Sequence, residues 1–132
     1  MASKMYTILA LAIVLIFPVA SLLSWQSSGL FSEVEVAASV AVGYVKNSPT
    51  FRFDGIVGSV EVTETVALDS YPMRFGVLVE FDSRQAGYGD RSGMMLAQVV
   101  THHVVRVWVT RWEVSRAIMD DVWDMMNQTM IS

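Results

Sequence analysis

The spacing of apolar residues changes twice along this chain. From Tyr6 to Leu23, 18 residues run without a charge and are broken only by Pro18. That length is at the short end of what crosses a hydrocarbon core of roughly 30 Å. Beyond it, Val34, Ala37, Ala38, Ala41, Tyr44 and Val45 recur at helical spacing on one face. Ser32 with Glu35 makes a capping box and Phe31 with Val36 a hydrophobic staple, so the helix is expected to begin at Glu33. Lys46 suits the negative end of its dipole, and Asn47 followed by Pro49 supplies the stop. The small residues on its apolar face allow close approach to a sheet.

From Ile56 onward the period drops to two. Ile56 to Leu68 alternates between the turn sequences Asp54-Gly55 and Asp69-Ser70-Tyr71-Pro72. Met73, Phe75, Val77, Val79 and Phe81 then alternate with Arg74, Gly76, Leu78, Glu80 and Asp82, which predicts a strand with one core face and one largely wet face. A third strand is expected from Met95 through a bend at His102-His103 to Val109, and a terminal hairpin runs from Thr110 through Val114 to Met119. Val122-Trp123 with Met125-Met126 can close the core as a last short strand or helical turn. The expected fold class is α+β: an N-terminal hydrophobic helix, then one helix packed on a four-stranded antiparallel meander. The expected domains are a signal-anchor or transmembrane segment over 1–25, a short linker over 26–31 and an extracytoplasmic domain over 32–132.

Composition bears on the setting. Nine Lys and Arg stand against 13 Asp and Glu, and only Lys4 lies in the leader, so the rest carries 8 cations against 13 anions. That balance argues against a nucleic-acid partner. Cys is absent, so an exported domain must rely on packing alone. Two readings of the leader are open. Thr7 to Phe17 matches the apolar region of a cleaved signal, with Val19-Ala20-Ser21 as a small-residue site; Leu22, Leu23 and the aromatic Trp25 favour a retained anchor. In both, Lys4 precedes the segment and the next cation is Lys46, which puts the domain outside the cytoplasm. A polar leader before an apolar stretch with a central Pro resembles pilin-type subunits, yet Lys4 stands where a processing Gly or Ala is expected and the stretch holds no Glu.

Chemistry is sparse in the sequence. The segment from Ser83 to Gly93 has 11 residues, with three Gly, two Arg, one Asp and one Tyr, where a hairpin needs about 2 to 5. One reading makes Arg84, Gly87, Tyr88, Gly89 and Arg91 a nest for an anion. A weaker one uses Asp82 and Asp90 as calcium ligands. A purely structural one pairs the two Arg with these Asp and uses Tyr88 as a plug. His102-His103 point to opposite faces of a strand and cannot share a metal. Asp120, Asp121 and Asp124 form an acidic turn, which in a hydrolase or metal-binding alternative would join the Asp82 to Gly93 loop. No cofactor is called for. Arg106, Trp108, Trp112 and Arg116 form a candidate interface patch, and the Met at the carboxyl end (Met119, Met125, Met126, Met130) suit an adaptable contact. The expected partners are the membrane, through Tyr6 to Leu23, and a protein or a second copy of the chain.

Two resemblances attach to these residues. The order of one helix followed by an antiparallel meander is similar to cystatin-like folds, and Gln98-Val99-Val100 resembles part of the cystatin inhibitory hairpin, with Thr101 and His102 replacing the residues that should follow. The segment Phe81 to Gly93, with Leu96-Ala97-Gln98-Val99 and the terminal pattern of Asp120 or Asp121 with Trp123-Asp124, resembles small exported or membrane-anchored archaeal proteins of unknown function. That likeness implies the same setting and no activity. The resulting expectation is a membrane-tethered extracytoplasmic binding or assembly module without catalytic activity.

Overall fold

Alternation dictates the centre of the molecule. In a computed structural model, which describes residues 33–131, β2 (Arg74–Ser83) buries Phe75, Val77, Val79, Phe81 and Ser83, while its even positions face the other way. Its neighbour β3 (Thr101–Thr110) buries His103, Val105, Val107 and Val109 in matching register, with Phe75 opposite Val109 and Phe81 opposite His103. β1 (Glu61–Leu68), β4 (Glu113–Met119) and the two-residue strands β5 (Trp123–Asp124) and β6 (Thr129–Met130) complete an antiparallel sheet in the order β1-β2-β3-β4-β5-β6. The fold is α+β, and the sheet has six strands rather than the expected four. The additional pair is short because Asp120 and Asp121, at φ 54° and 61°, turn the chain back on β4 for only two residues.

Helix α1 (33–47) covers one face. Ala37, Ala41 and Val45, four residues apart, have no solvent exposure and join the sheet's buried layer. Val34 at the start of the predicted stripe is exposed. The expected cap and staple residues Ser32 and Phe31 lie outside the described residues, as does the whole 1–25 segment. Among the described residues no helix is long and apolar enough to cross a membrane.

Pro49 is a start as well as a stop. It opens α2 (Pro49–Asp54), with Ser48 as N-cap accepting from the Phe51 amide. Pro fits there because its missing N–H falls where no helical acceptor exists. Phe51 sets its edge against the Phe81 ring at 5.3 Å and 73°, and Gly55 bridges to Ser83. Gly55 stands against the Phe51 ring, where a Cβ would overlap ring atoms. α2 is thereby fastened to the end of β2.

Two strand boundaries differ from the sequence reading. β1 begins at Glu61, not Ile56, because Ser59 folds back on the Ile56 carbonyl through both its amide and its hydroxyl, and Gly58 takes φ 93°. β3 begins at Thr101, not Met95, since residues 94–100 pair with no strand.

Candidate functional site

The long loop between β2 and β3 is organised by one buried cation. Arg91 is 2% exposed and its five N–H groups all have acceptors: Nε the Gly89 carbonyl, Nη1 those of Gln85 and Ala86, and Nη2 the Thr50 carbonyl and Asp54 Oδ1 at 2.6 Å. The other Asp54 oxygen accepts the Gln85 amide at 2.8 Å, and the Gly89 amide donates to Thr50 Oγ1 at 2.7 Å. Phe53 lies under the guanidinium at 4.8 Å. α2 is thus the dock for the loop. Gly87 and Gly89 are favoured by positive φ, 106° and 73°, and at Gly87 also by a close neighbour, since a Cβ would meet Arg91 Cδ.

This corrects the anion-nest expectation. Arg91 faces inward and has no donor left for a ligand, while Arg84 faces solvent, so the two cations do not converge. The calcium expectation fails similarly. Asp90 accepts the Ser92 amide, Asp82 holds His102, and among the described residues no group of three His, Asp or Glu can hold a metal ion. The ion pair that locks the loop is Arg91 with Asp54, a partner 37 positions away that no spacing rule marks.

Tyr88 leads to a second buried group. Its ring stacks on Trp123 at 5.4 Å and 10°, and its hydroxyl donates to Asp120 Oδ2 at 3.1 Å. Burial, followed by the Asp120 charge and this hydrogen bond, pushes the Tyr88 pKa up to about 12. The same Asp120 oxygen sits 2.6 Å from His103 Nδ1, and His103 Nε2 is 3.1 Å from Ser83 Oγ. A carboxylate can only accept, so Nδ1 carries the proton. Burial works against the Asp120 charge, but hydrogen bonds from His103 and the Val104 amide outweigh it and hold the carboxyl below its ordinary range.

Serine, imidazole and carboxylate in this order have the geometry of a nucleophile, base and orienting acid. Access decides otherwise. Ser83 is 0% and His103 1% exposed, beneath α2 and the locked loop, and Ser83 Oγ also lies 2.9 Å from the Gln85 carbonyl. The chain Ser83–His103–Asp120–Tyr88 is an internal strut that ties β2, β3, the β4–β5 turn and the loop together. In sequence Tyr88, His103 and Asp120 stand out singly, but nothing joins them to one another or to Ser83, 20 positions from His103.

The face of the sheet opposite α1 is open. There β3 presents His102, Arg106 and Trp108, and β4 presents Arg116, whose guanidinium lies 5.1 Å over the Trp108 ring. Trp108 is opposite Gly76, and the missing side chain leaves a groove of about 280 Å³ walled by Glu64, Val66, Leu78, Arg106 and Trp108. Trp112 does not belong to this patch. It stacks on Phe75 at 5.7 Å, on the α1 side of the sheet, because the turn Arg111-Trp112 carries it past the strand end. Further along the open face, His102 bridges Glu80 at 2.9 Å and Asp82 at 2.7 Å. These two contacts raise the His102 pKa, Glu80 first, and the His102 hydrogen bond lowers that of Glu80. Asp124 is turned away, capping the Met126 and Asn127 amides. A second recess, of about 590 Å³, lies beside α2 and is lined by Pro49, Arg52, Phe53, Asp90 and Ser92.

The chain matches no known family model, no curated protein and no solved structure.

Proposed function

We propose that this chain is a binding or assembly module outside the cytoplasm, tethered to a membrane through Tyr6 to Leu23, and that it docks a protein partner on the open face of its sheet. The observation that carries this reading is Trp108, set between Arg106 and Arg116 above the bare backbone of Gly76. Aromatic and Arg side chains together are the usual anchors of protein interfaces. The groove suits one apolar side chain held on an acidic segment, whose carboxylates meet Arg116 and compete for Arg106 with Asp121, 3.5 Å away. The helix-then-meander order supports a cystatin-like arrangement, and the likeness of Phe81 to Gly93 to exported archaeal proteins supports the setting and adds no activity.

The hydrolase alternative gains nothing from the loop and the acidic turn. They do meet, through Tyr88 and Asp120, but Asp82, Asp90 and Asp124 are each engaged elsewhere. The test is a photoreactive residue at Leu78 in the full chain, irradiated in intact membranes. The expected result is one discrete adduct, lost with Trp108→Ala while the circular dichroism spectrum is unchanged. No adduct, or the same adducts from a probe at Tyr71, would overturn the docking reading.

A further inference from the structure

Residues 94–100 read Met-Met-Leu-Ala-Gln-Val-Val, without charge, Gly or Pro. Such a sequence forms strand wherever it finds a partner. It runs directly into β3, yet it pairs with no strand, and its side chains are bare except for the half-buried Leu96: Met95 is 102% exposed, and Met94, Val99 and Val100 are more than half exposed. An uncharged apolar arm in water is a contact surface.

The backbone shows which edge is open. The Ala97 carbonyl accepts the Ala86 amide at 3.4 Å, and Thr101 pairs with Ser83, so odd residues turn their amides and carbonyls toward the β2 side. Val104 bonds Asp120 through both its N–H and its C=O, so even residues face the β4 side. Below Val104, β4 has already turned away at Asp120. Leu96, Gln98 and Val100 therefore direct their backbone groups at an edge to which nothing among the described residues is paired.

We propose that two copies of this chain pair there, antiparallel, about a two-fold axis at Ala97. The sequence is self-complementary under that symmetry. Leu96 exchanges backbone hydrogen bonds with Gln98 of the second copy, Met94 meets Val100, Met95 meets Val99, and no charge opposes another. Ala97 then faces its own counterpart as a non-hydrogen-bonded pair, the closer of the two antiparallel spacings. The arm extends β3 beyond Thr101, whereas Trp108 lies at the other end of that strand, so the pairing supplies a partner for the assembly reading without resting on the groove.

The chain has no Cys, so single substitutions report the register. In the full chain, in membranes, Ala97→Cys is expected to form a disulfide-linked dimer under mild oxidation, since directly opposed Cβ atoms lie about 4.5–5.5 Å apart, close to disulfide reach. Met95→Cys and Val99→Cys should each stay monomeric alone and form a mixed dimer when co-expressed. Gln98→Pro, which deletes a donor on the free edge outside the sheet, should cut the Ala97→Cys dimer at least tenfold with an unchanged circular dichroism spectrum. A monomeric Ala97→Cys chain overturns the pairing, as does equal cross-linking at all three positions or indifference to Gln98→Pro. Those results leave the Leu78 adduct untouched, and failure of that adduct leaves the dimer untouched.

Discussion

Arg91 commits a whole guanidinium to the inside of a small protein, and the geometry explains why Lys cannot replace it. Five donors in a fixed plane reach four carbonyls and a carboxylate, whereas an ammonium has three donors around one point. Arg91→Ala leaves Asp54 buried without its charge partner, so urea unfolding should show a loss of about 3–5 kcal/mol; the exposed Arg84→Ala should stay within about 0.5 kcal/mol of the parent. His102 makes a pH prediction. Its pKa is raised, so its contacts contribute fully below the ordinary value of about 6.5 and fade as pH rises through the shifted midpoint; Glu80 is lowered, so its share is full above about 4.3 and fades as pH falls. The contribution is therefore full between these two ordinary values and is lost only beyond the shifted midpoints on either side. An NMR titration should place the His102 midpoint above about 6.5, and Glu80→Gln should bring it down. At this scale the sequence was a poor guide. Arg91 and Tyr88 stand out because charge and aromaticity are visible in a Gly-rich segment, but Thr50, Asp54, Ser83 and His103 acquire their roles only through partners 17 to 41 positions away.

Among the elements, the β3–β4 hairpin carries its own strain. Arg111 and Trp112 occupy a two-residue turn with φ 53° and 63°, a conformation usually left to Asn and Gly. The Trp112 stack on Phe75 offsets part of that cost. Arg111→Gly should raise stability by up to about 1 kcal/mol in denaturant unfolding, while Trp112→Gly should not, because it trades strain for the lost stack. The same turn explains the misplaced Trp112: alternation projected along Val104 to Trp112 keeps it beside Trp108, and alternation ends where φ changes sign. β2 was legible because it is central and has one dry face, so burial and sequence share a period. β1 was less so, for it is an edge strand with a register shift between Val62 and Glu64. α2 was missed because Pro49 reads as a terminator, though at the first helical position it serves as a beginning. Met95 to Val100 was expected to be strand on residue preference, which contains no information about whether a partner is present.

For the whole molecule the α+β class follows from one helical period ahead of several twofold ones, and the six-strand count turns on two residues, Asp120 and Asp121, in left-handed backbone. Residues 1–32, which carry the expectation of location, lie outside the described residues, so that expectation stands on hydropathy alone. Protection should follow position in the sheet. In hydrogen exchange, the amides of β2 and β3, paired on both edges and covered by α1, should be slowest, and those of β5 and β6 fastest. The strand order carries one more consequence. Each strand pairs with the one made just before it, and no strand waits for a later one to be inserted between them. The sheet can therefore be built in the order in which the ribosome releases the chain, with contacts that are short in sequence and fast to close. The helices must wait: the apolar stripe of α1, Ala37, Ala41 and Val45, has nothing to cover until β2 and β3 have emerged, and Thr50, Phe51 and Asp54 of α2 wait for Phe81 and Arg91.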